Sequence, residues 1–427
     1  MDISKLLKEV KLCSYALANL STTEKNKALE AFAQEISLNK SWLFQENQKD
    51  LSENKGKLSP QLYSRLELTE LKLDQLVEGL RDVIRLEDPT KKVLLERQLD
   101  DGLILQKISV PIGVLAIIFE SRPDVIPQIL SLALKSGNAV VLKGGSEAKH
   151  SNEAFMKLVQ RVTEGLPFLP QQWAQLVDGR EAVHEVLKYP QYVDLVIPRG
   201  SNELVQKIQQ STKIPVLGHA DGICHLYVHE TADLALATKV TLDSKTQSPT
   251  TCNAVETLLV DRTIASTFLP DFWKQVKAKG VVLKGCAATK GILPDIEAAT
   301  EQDWKTEYGD LRLSVKVVGN LSEAIQHING YGSHHTDGIF ASLKSVQEHF
   351  LEQVDSACVF VNASLRFTDG FRFGFGAEVG ISTNKTHARG PVGLEGLVIY
   401  KYKVRGSGQV VADYVGPKAK PFQHKDL

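Results

Sequence analysis

The sequence predicts an α/β protein whose two domains each contain a doubly wound parallel sheet. Short apolar segments alternate with amphipathic ones from residue 110 to residue 361, which is the pattern of strands and crossover helices. The segment 110–119 is apolar almost throughout, as strands covered on both faces are. A further run of strands and helices starts near residue 223 and indicates a second sheet.

The composition excludes several classes of function. The 50 basic and 51 acidic residues among 427 nearly cancel, which disfavours nucleic acid and membrane surfaces as partners. No apolar run is long enough to span a bilayer, and the N-terminus has no apolar signal core. The five cysteines show no paired or metal-type spacing, which fits a reducing compartment. We therefore expect a soluble cytoplasmic protein.

Residues 1–90 are predicted to be helical. Ser21-Thr22-Thr23-Glu24 is a capping box, in which a hydroxyl and a carboxylate satisfy free N–H groups at a helix start. Ser59-Pro60 predicts the start of another helix, because proline fits the first turn. The apolar pattern of that helix continues through residues 71–84 and stops before Asp88-Pro89.

The period then changes from that of a helix to that of strands. Residues 93–108 surround Asp100-Asp101-Gly102 and predict a hairpin with glycine in its turn. A ribbon at this place packs on its own domain or reaches a neighbouring subunit, and the pattern fits both arrangements. Residues 397–404 predict a late strand, and the tail after Gly416 is expected to be frayed.

The alternation that follows places polar residues at one edge of a sheet. Strands are predicted at residues 110–119, 139–143, 193–197, 214–217 and 223–228, with helices at 123–135, from about 146 and after the Pro198–Ser201 turn. Ligands of doubly wound sheets bind at the carboxyl ends of the strands. This rule brings residues 120–122, 143–146 and 199–201 to one rim.

The second unit carries the strongest candidate for a reactive group. Its predicted strands are 255–260, 314–318, 338–341 and 357–361, with helices at 231–244 and 264–279 and a glycine-rich loop region at 364–396. Cys252 lies in the small polar loop directly before the first of these strands, and such loops carry most reactive groups. The alternative is a buried structural cysteine, since a free cysteine usually behaves as a small hydrophobe.

Four motifs identify the chain with a known family. They are Phe119-Glu-Ser-Arg-Pro-Asp-Val125, Gly218-His-Ala-Asp-Gly222, Ser248-Pro-Thr-Thr-Cys-Asn-Ala254 and Phe371-Arg-Phe-Gly-Phe-Gly-Ala-Glu-Val-Gly-Ile-Ser382. With the strand end at Lys143 and the pair Gly200-Ser201, they follow one another as in the aldehyde dehydrogenase superfamily. Within it the chain resembles the γ-glutamyl phosphate reductases, from residue 1 to about residue 415.

The resemblance implies three structural parts. Residues 1–92 and 109–222 would form an NADP-binding domain, and residues 223–396 would form the catalytic domain with its nucleophilic cysteine. Residues 93–108 and 397–427 would form an oligomerisation element, so the chain is expected to be a homo-oligomer. The fold expected from the resemblance is thus aldehyde dehydrogenase-like.

The resemblance also implies a reaction. Cys252 would attack L-glutamyl 5-phosphate, phosphate would leave, and the thioester would accept a hydride from NADPH to give L-glutamate 5-semialdehyde, the second step of proline biosynthesis from glutamate. Ser121 aligns with the superfamily's oxyanion donor and Arg122 lies beside it, so either side chain is a candidate donor. His219 stands where hydrolytic members carry the glutamate that activates water. Its role as a proton donor or as a packing residue stays open.

Cofactor residues follow from the same resemblance. Lys143 matches the lysine that holds the adenosine ribose, and Gly200-Ser201 would bind the diphosphate at a helix N-terminus. Glu307 matches the glutamate that holds the nicotinamide ribose. Ser146 stands where NAD-preferring members carry an acidic residue, which favours NADP, although one alignment gap would place Glu147 there instead.

The substrate offers a carboxylate, a phosphate and an ammonium group. Arg122, Arg366 and Arg372 are candidates to pair with the anionic groups, and Glu378 or Asp369 with the ammonium. Histidines 327, 334, 335 and 349 bring no cysteine or carboxylate at ligand spacing, so no metal site is predicted.

Two other functions fit parts of the pattern. An aldehyde-oxidising dehydrogenase of the same superfamily would need a base that hydrolyses the thioester. A non-catalytic relative that kept only the fold is disfavoured, because Cys252, Lys143 and Glu307 are intact. Whether glutamate 5-kinase, which would supply the labile acyl phosphate, is a partner is left open.

The predicted cofactor preference gives a first test. If Ser146 leaves room for the 2′-phosphate and Lys143 pairs with it, Ser146→Glu should weaken NADPH binding far more than NADH binding, because the new carboxylate repels the phosphate. A charge-assisted contact contributes about 1.5–3 kcal/mol, so the ratio of the two dissociation constants should shift by roughly tenfold or more. Fluorescence titration with both nucleotides measures this ratio. An unchanged ratio would place the phosphate elsewhere.

Overall fold

The computed structural model describes residues 2–120, 122–200, 202–219 and 221–427 of the chain. It contains two parallel sheets with helices packed on them, and an antiparallel sheet that carries the hairpin. This arrangement confirms the predicted α/β class. None of the helices in these ranges is long and apolar enough to cross a membrane.

The N-terminal region is helical, as predicted, and contains α1 (Ile3–Leu17), α2 (Thr22–Leu38), α3 (Lys40–Asn54), α4 (Pro60–Leu66) and α5 (Glu70–Arg85). The capping box opens α2, since the Glu24 N–H donates to the Ser21 Oγ at 3.2 Å and the Ser21 N–H donates to the Glu24 carboxylate at 2.7 Å. The single helix expected over residues 60–84 is instead two. The Lys72 N–H donates to the Thr69 hydroxyl at 3.2 Å and so caps α5. Leu71, expected on the buried face, is 67% exposed in the first turn of this helix.

The hairpin is present as β1 (Val93–Asp100) and β2 (Leu103–Pro111), which pair across a turn where Gly102 has a φ of +71°. The predicted strand 110–119 is divided between two sheets. Its first residues end β2 in the antiparallel sheet, and β3 (Val114–Phe119) belongs to a parallel sheet. Gly113 allows the change of direction. Its φ of +132° suits glycine alone, and its N–H donates to the Asn138 Oδ1 at 2.8 Å.

The first parallel sheet consists of β3, β4 (Ala139–Lys143), β5 (Ala174–Leu176) and β6 (Leu195–Arg199), in the order β5-β4-β3-β6. Its helices are α6 (Val125–Lys135), α7 (Lys149–Gly165), α8 (Arg180–Val186) and α9 (Asn202–Ser211). All residues of β3 are buried, which explains its apolar sequence. The strand expected at residues 214–217 is only a single bridge from Val216 to Val196, since Pro215 has no N–H to extend a ladder.

The second parallel sheet consists of β7 (Cys224–Val228), β8 (Val255–Asp261), β9 (Val282–Gly285), β10 (Glu297–Ala298), β11 (Arg312–Val318), β12 (Thr336–Phe340) and β13 (Cys358–Val361). Their order is β10-β9-β11-β8-β7-β12-β13, and each neighbouring pair is parallel. The helices of this unit are α10 (Leu234–Thr246), α11 (Ala265–Ala278), α12 (Ala287–Ile292), α13 (Leu321–Tyr331) and α14 (Lys344–Gln353). Every residue of β8 is buried, so the strand after Cys252 lies at the centre of the sheet.

The last part of the chain returns to the first half of the fold. Short strands β14 (Ile381–Ser382) and β15 (Gly390–Pro391) pair with each other, and Val379 and Val392 pack into the core around the first sheet. β16 (Val398–Arg405) then pairs with β2 along its length, and β17 (Lys425–Asp426) pairs with β1. The tail is therefore not frayed, because the Arg97 guanidinium binds the Asp426 carboxylate at 2.6 Å. The predicted domain boundaries remain predictions.

A buried ion pair ties α10 to β8 below the predicted nucleophile. The Lys245 ammonium contacts the Glu256 carboxylate at 2.6 Å, and each side chain is only 1% exposed. Burial lowers the pKa of Lys245 and raises the pKa of Glu256, since both charged forms lose their water. The other oxygen of Glu256 accepts from the Gly309 N–H at 3.2 Å. The pair therefore also supports the loop that carries Glu307.

Removing one partner of this pair should destabilise the protein. Glu256→Gln leaves the Lys245 ammonium buried without a counter-ion and should lower the free energy of unfolding by about 3–5 kcal/mol. The double variant Lys245→Met/Glu256→Leu removes both charges and should recover most of that loss. Urea denaturation followed by circular dichroism measures both effects.

The exposed pair of Lys274 and Asp271 is the matched control, with both side chains more than three-quarters exposed at a distance of 3.0 Å. Asp271→Asn should leave the urea midpoint unchanged, because solvent screens such a pair. A Glu256→Gln variant as stable as this control would mean that the buried pair contributes nothing to the fold.

Candidate active site

The predicted nucleophile lies where the two parallel sheets meet. Cys252 precedes β8, Gly222 precedes β7 and His335 precedes β12, so all three lie at amino ends of strands in the second sheet. Arg199 lies at the carboxyl end of β6 in the first sheet. Asn202, three residues later, donates to the Glu307 carboxylate, which also accepts from the Gly222 N–H, so the two sheet edges face each other. The cleft between them is the candidate active site.

The backbone of the nucleophile loop is held by close contacts. A Cβ on Gly222 would lie 2.1 Å from the Cys252 carbonyl oxygen and 2.6 Å from its Cα, so only glycine fits at this point. The Cys224 thiol donates to the same carbonyl at 3.2 Å. On the other side, the buried Asn253 amide donates to the Thr368 carbonyl at 2.7 Å. These contacts fix the backbone of the loop, and the loop in turn orients the half-buried Cys252 side chain.

Two histidines face the thiol. The Cys252 Sγ and one ring nitrogen each of His219 and His335 all lie within 4.8 Å of one another. The His219 Nδ1–H donates to the Ile381 carbonyl at 2.8 Å, which leaves Nε2 with a free lone pair. Burial lowers the pKa of His219, so its imidazole is neutral near pH 7 and is suited to accept a proton.

Arg199 is a residue of this centre to which the sequence analysis gave no role. Burial and the neighbouring Arg122 lower the pKa of its guanidinium, whereas Glu378 and Cys252 act in the opposite direction. The group nevertheless stays charged, because arginine does not lose its proton in proteins. A desolvated guanidinium beside a nucleophile is suited to hold an anionic part of a substrate. The signal that points to it is its place at the end of a strand, on the rim where ligands bind.

The other predicted anion-binding residues lie around this centre at different depths. Arg366 is half-buried, and Cys252 is among the charged groups that act on its pKa, which burial lowers. Arg372 is exposed and donates from Nη1 to the Arg366 carbonyl at 2.5 Å, so it lies at the outer rim. Arg122 pairs with Asp124 at 3.0 Å and is 39% exposed.

The predicted partners of an ammonium group lie in the same loop region. Glu378 accepts from the Gly370 N–H at 2.9 Å, and burial raises its pKa while Arg199 lowers it. Asp369 accepts from the Arg372 N–H at 3.0 Å and adds negative charge near Glu378. The Glu378 carboxylate therefore interacts with the Arg199 guanidinium of this centre.

Glu307 links the nucleophile to the predicted cofactor site. Its Oε2 accepts from the Gly222 N–H at 2.9 Å and from the Asn202 side-chain amide at 3.0 Å. Asn202 opens α9, two residues after Gly200, and also donates to Asp221 at 2.7 Å. The structure thus brings together Glu307 and the N-terminus of α9, two predicted cofactor contacts, next to Cys252. Neither Asn202 nor Asp221 was a candidate from sequence.

Glycines shape the rim of the first sheet. A Cβ on Gly200 would lie 2.4 Å from the Glu120 carboxylate, and one on Gly144 would lie 2.1 Å from the Asn152 amide nitrogen. Lys143 ends β4 and Ser146 starts the short 3₁₀ turn before α7, and β3 separates them from Arg199. They share this rim with Arg199 and lie apart from the group around Cys252.

Two of the predicted site residues, Ser121 and Ser201, lie outside the described residues. The approach of His335 to the thiol is a contact that the sequence did not predict. His335 was set aside because the histidine spacing along the chain fits no metal site. Its approach to Cys252 follows from the pairing of β12 with β7 and of β7 with β8, which brings the starts of these three strands together.

Known proteins resemble the chain in sequence and in structure. Residues 2–283 match the model of the aldehyde dehydrogenase family. The γ-glutamyl phosphate reductase of Brachyspira hyodysenteriae is 51% identical over 100% of both chains, and that of Methanococcoides burtonii is 50% identical over 100% of this chain and 97% of its own. The crystal structure of γ-glutamyl phosphate reductase from Thermotoga maritima matches with a TM-score of 0.93 and 39% identity, covering 96% of this chain and 100% of that one. These likenesses confirm the predicted fold.

The close approach of Gly222 to the nucleophile loop can be tested directly. Gly222→Ala forces the Cys252 backbone away and should separate its thiol from His219, because the new methyl group has no room. We expect alkylation of Cys252 by iodoacetamide at neutral pH to slow by about tenfold to a hundredfold, since the thiolate is the reactive form. Peptide mass spectrometry measures the rate for each cysteine.

Gly79→Ala is the control, because a Cβ at this helix position meets nothing within 4 Å. Alkylation of Cys286 serves as the internal reference in both variants. An unchanged Cys252 rate in Gly222→Ala would show that the contact does not position the thiol.

Proposed function

The chain belongs to the aldehyde dehydrogenase family and, within it, to the γ-glutamyl phosphate reductases, and from this premise we propose how it acts. The reaction is the reduction of L-glutamyl 5-phosphate to L-glutamate 5-semialdehyde and phosphate, a step of proline biosynthesis. The observation that carries the proposal is the half-buried Cys252 thiol, whose sulfur lies within 4.8 Å of a ring nitrogen of the neutral His219 and interacts electrostatically with the Arg199 guanidinium. A nucleophile, a proton acceptor and an anion-binding group in one cleft serve acyl transfer from a phosphate to sulfur.

The first step forms a thioester. The Cys252 thiol gives its proton to the Nε2 of His219, and the sulfur attacks the γ-carbonyl carbon of the substrate. The carbon–oxygen bond to phosphate then breaks, and phosphate leaves with the electron pair. Charge develops on the carbonyl oxygen in between, and the Cys252 N–H with Arg122 are the proposed donors to it. Arg199 offsets the charge of the departing phosphate.

The second step reduces the thioester and frees the enzyme. A bound reduced nicotinamide supplies one thing, a hydride to the thioester carbonyl carbon. The carbon–sulfur bond then breaks, the aldehyde forms and Cys252 leaves as a thiolate. The thiolate regains the proton held by His219, while the phosphate takes the proton of the overall reaction from solvent. His219 thus returns to its neutral form after each turnover.

The family membership implies a nicotinamide cofactor, and the residues of the cleft fit one. We place its diphosphate at the N-terminus of α9, which follows Gly200, and its nicotinamide ribose at Glu307, which Gly222 and Asn202 orient. NADPH is the proposed form. It is supported by Ser146, which brings no negative charge against a 2′-phosphate, and by Lys143, which brings a positive one.

The length of the substrate assigns its anionic groups to different arginines. The phosphate is attached to the reacting carbon, so we assign it to Arg199, whose charge interacts with that of Cys252. The carboxylate lies at the other end of the glutamyl chain and belongs to Arg366 and Arg372, which contact each other. Glu378 is the proposed partner of the ammonium group, because it remains an acceptor beside Arg199.

The antiparallel sheet supports the predicted assembly of several copies of the chain. β16 is exposed along nearly its whole length, and its apolar side chains stand in water together with those at the start of β1. These side chains are Val93, Leu94, Ile399, Tyr400, Tyr402 and Val404. An apolar sheet surface of this kind favours contact with a second copy. A partnership with glutamate 5-kinase remains a prediction.

The reverse reaction tests the proposed function. Glutamate 5-semialdehyde and NADP are mixed with the protein, with and without inorganic phosphate, and the near-ultraviolet absorbance of the reduced nucleotide is followed. We expect turnover only with phosphate, because the thioester must be opened by phosphate rather than by water. Turnover without phosphate would instead indicate an aldehyde-oxidising dehydrogenase, and no turnover under either condition would overturn the proposal.

The same assay tests the nucleophile. Cys252→Ala should abolish turnover and leave NADPH binding unchanged, because the thiol contributes to chemistry and not to cofactor contacts. Cys13→Ala is the matched control, since this half-buried thiol lies on α1 outside the cleft. Full activity of Cys252→Ala would exclude covalent catalysis by this residue.

A further inference from the structure

His335 has no part in the proposed reaction, yet it lies fully buried beside the nucleophile. Its Nδ1 lies 2.8 Å from the Thr336 Oγ1, whose own proton goes to the Thr368 hydroxyl at 3.1 Å. The imidazole is therefore the donor in this contact, and its Nε2 carries a lone pair. Among the described residues nothing forms a hydrogen bond with that Nε2. A buried polar atom without a partner calls for an explanation.

His219 and His335 present the same form of the imidazole ring. The Nδ1–H of His219 donates to the Ile381 carbonyl, and the Nδ1–H of His335 donates to the Thr336 hydroxyl. Each ring thus offers its Nε2 lone pair. This is the arrangement of histidines that bind a metal, whose second nitrogen almost always donates to an oxygen that fixes the ring.

We propose that Cys252, His219 and His335 form a binding site for a single Zn²⁺ ion. Their donor atoms lie within 4.8 Å of one another. A tetrahedral zinc with bonds of about 2.0–2.3 Å needs donor atoms roughly 3.3–3.8 Å apart. Side-chain rotations that move the donor atoms by about 1 Å would therefore bring them to this distance. The three residues leave a fourth position for water or a small anion, as three-ligand zinc sites do.

The chemistry of the donors selects the ion. One thiolate and two neutral imidazoles favour Zn²⁺ over Mg²⁺ and Ca²⁺, which prefer oxygen ligands. On binding, the S–H bond of Cys252 breaks, a sulfur–zinc bond forms and the proton goes to solvent. Cys252 and His219 are only half-buried, so the ion has access from the cleft.

Zinc at this place would occupy the nucleophile. Because the sulfur–zinc bond uses the electron pair that attacks the substrate, the ion would inhibit reversibly and would compete with the acyl phosphate. The zinc site is independent of the proposed reductase reaction, because metal binding is measured without turnover. A protein that binds zinc and shows no reductase activity would refute the proposed function alone.

Cobalt spectroscopy tests the site, because Co²⁺ takes the same ligands as Zn²⁺ and reports on them. The full-length protein is first treated with a chelator and then titrated with Co²⁺. We expect one equivalent per chain, intense visible bands of tetrahedral cobalt and a near-ultraviolet band from thiolate to cobalt, all removed by one equivalent of Zn²⁺. Absence of the thiolate band would overturn the proposal.

Variants assign the ligands. Cys252→Ser should remove the thiolate band, and His335→Gln and His219→Gln should each weaken binding by more than about a hundredfold. Thr336→Val removes only the oxygen that fixes the His335 ring and should weaken binding by roughly 10–100-fold. Cys286→Ser and His349→Ala, a half-buried thiol and an exposed imidazole elsewhere on the chain, should bind as the unaltered protein does.

Circular dichroism establishes which variants fold. If the buried His335→Gln does not, the half-buried His219→Gln and the Cys252→Ser variant still decide the result. A thiolate band that persists in Cys252→Ser, or undiminished affinity in a folded His219→Gln variant, would place the metal elsewhere and overturn the assignment.

Discussion

The missing side chain of Gly222 is the constraint on which the rest of the cleft depends. Its backbone lies so close to Cys252 that a Cβ would sit 2.1 Å from the Cys252 carbonyl oxygen. Its N–H in turn holds the Glu307 carboxylate at 2.9 Å. Because Gly222 and Cys252 precede neighbouring strands, this one residue sets the distance between the nucleophile and the proposed contact of the cofactor ribose. A larger residue would move both at once.

The cleft combines opposite ends of two parallel sheets. The carboxyl end of β6 supplies Arg199, whereas the amino ends of β8 and β12 supply Cys252 and His335. The rule that ligands bind at carboxyl ends therefore describes only the first sheet. The consequence is a site with the Arg199 guanidinium on one wall and the Cys252 thiol and the His335 imidazole on the other. Such a division suits a substrate whose reacting carbon carries a phosphate.

The neutral imidazole of His219 accounts both for the reactivity of the Cys252 thiol and for the proposed binding of a metal ion to it. A carboxylate at this position would repel both a thiolate and an incoming phosphate, whereas an uncharged ring accepts the thiol proton without adding negative charge. The same lone pairs, with a soft sulfur between them, are what a thiophilic cation needs. A catalytic thiol placed between two such rings is therefore both activated and open to capture.

The sequence by itself determined the features that depend on near neighbours: the capping box at Ser21, the turn at Gly102, the buried strand before Phe119 and the loop of Cys252. It did not determine that the apolar run breaks at Gly113, that the C-terminal tail pairs with β1, or that Arg199 and His335 meet at the thiol. A hydrogen-bonded turn or an apolar period is written in adjacent residues. Which strand starts lie side by side depends on the pairing of strands far apart in the chain, and only the tertiary structure decides that.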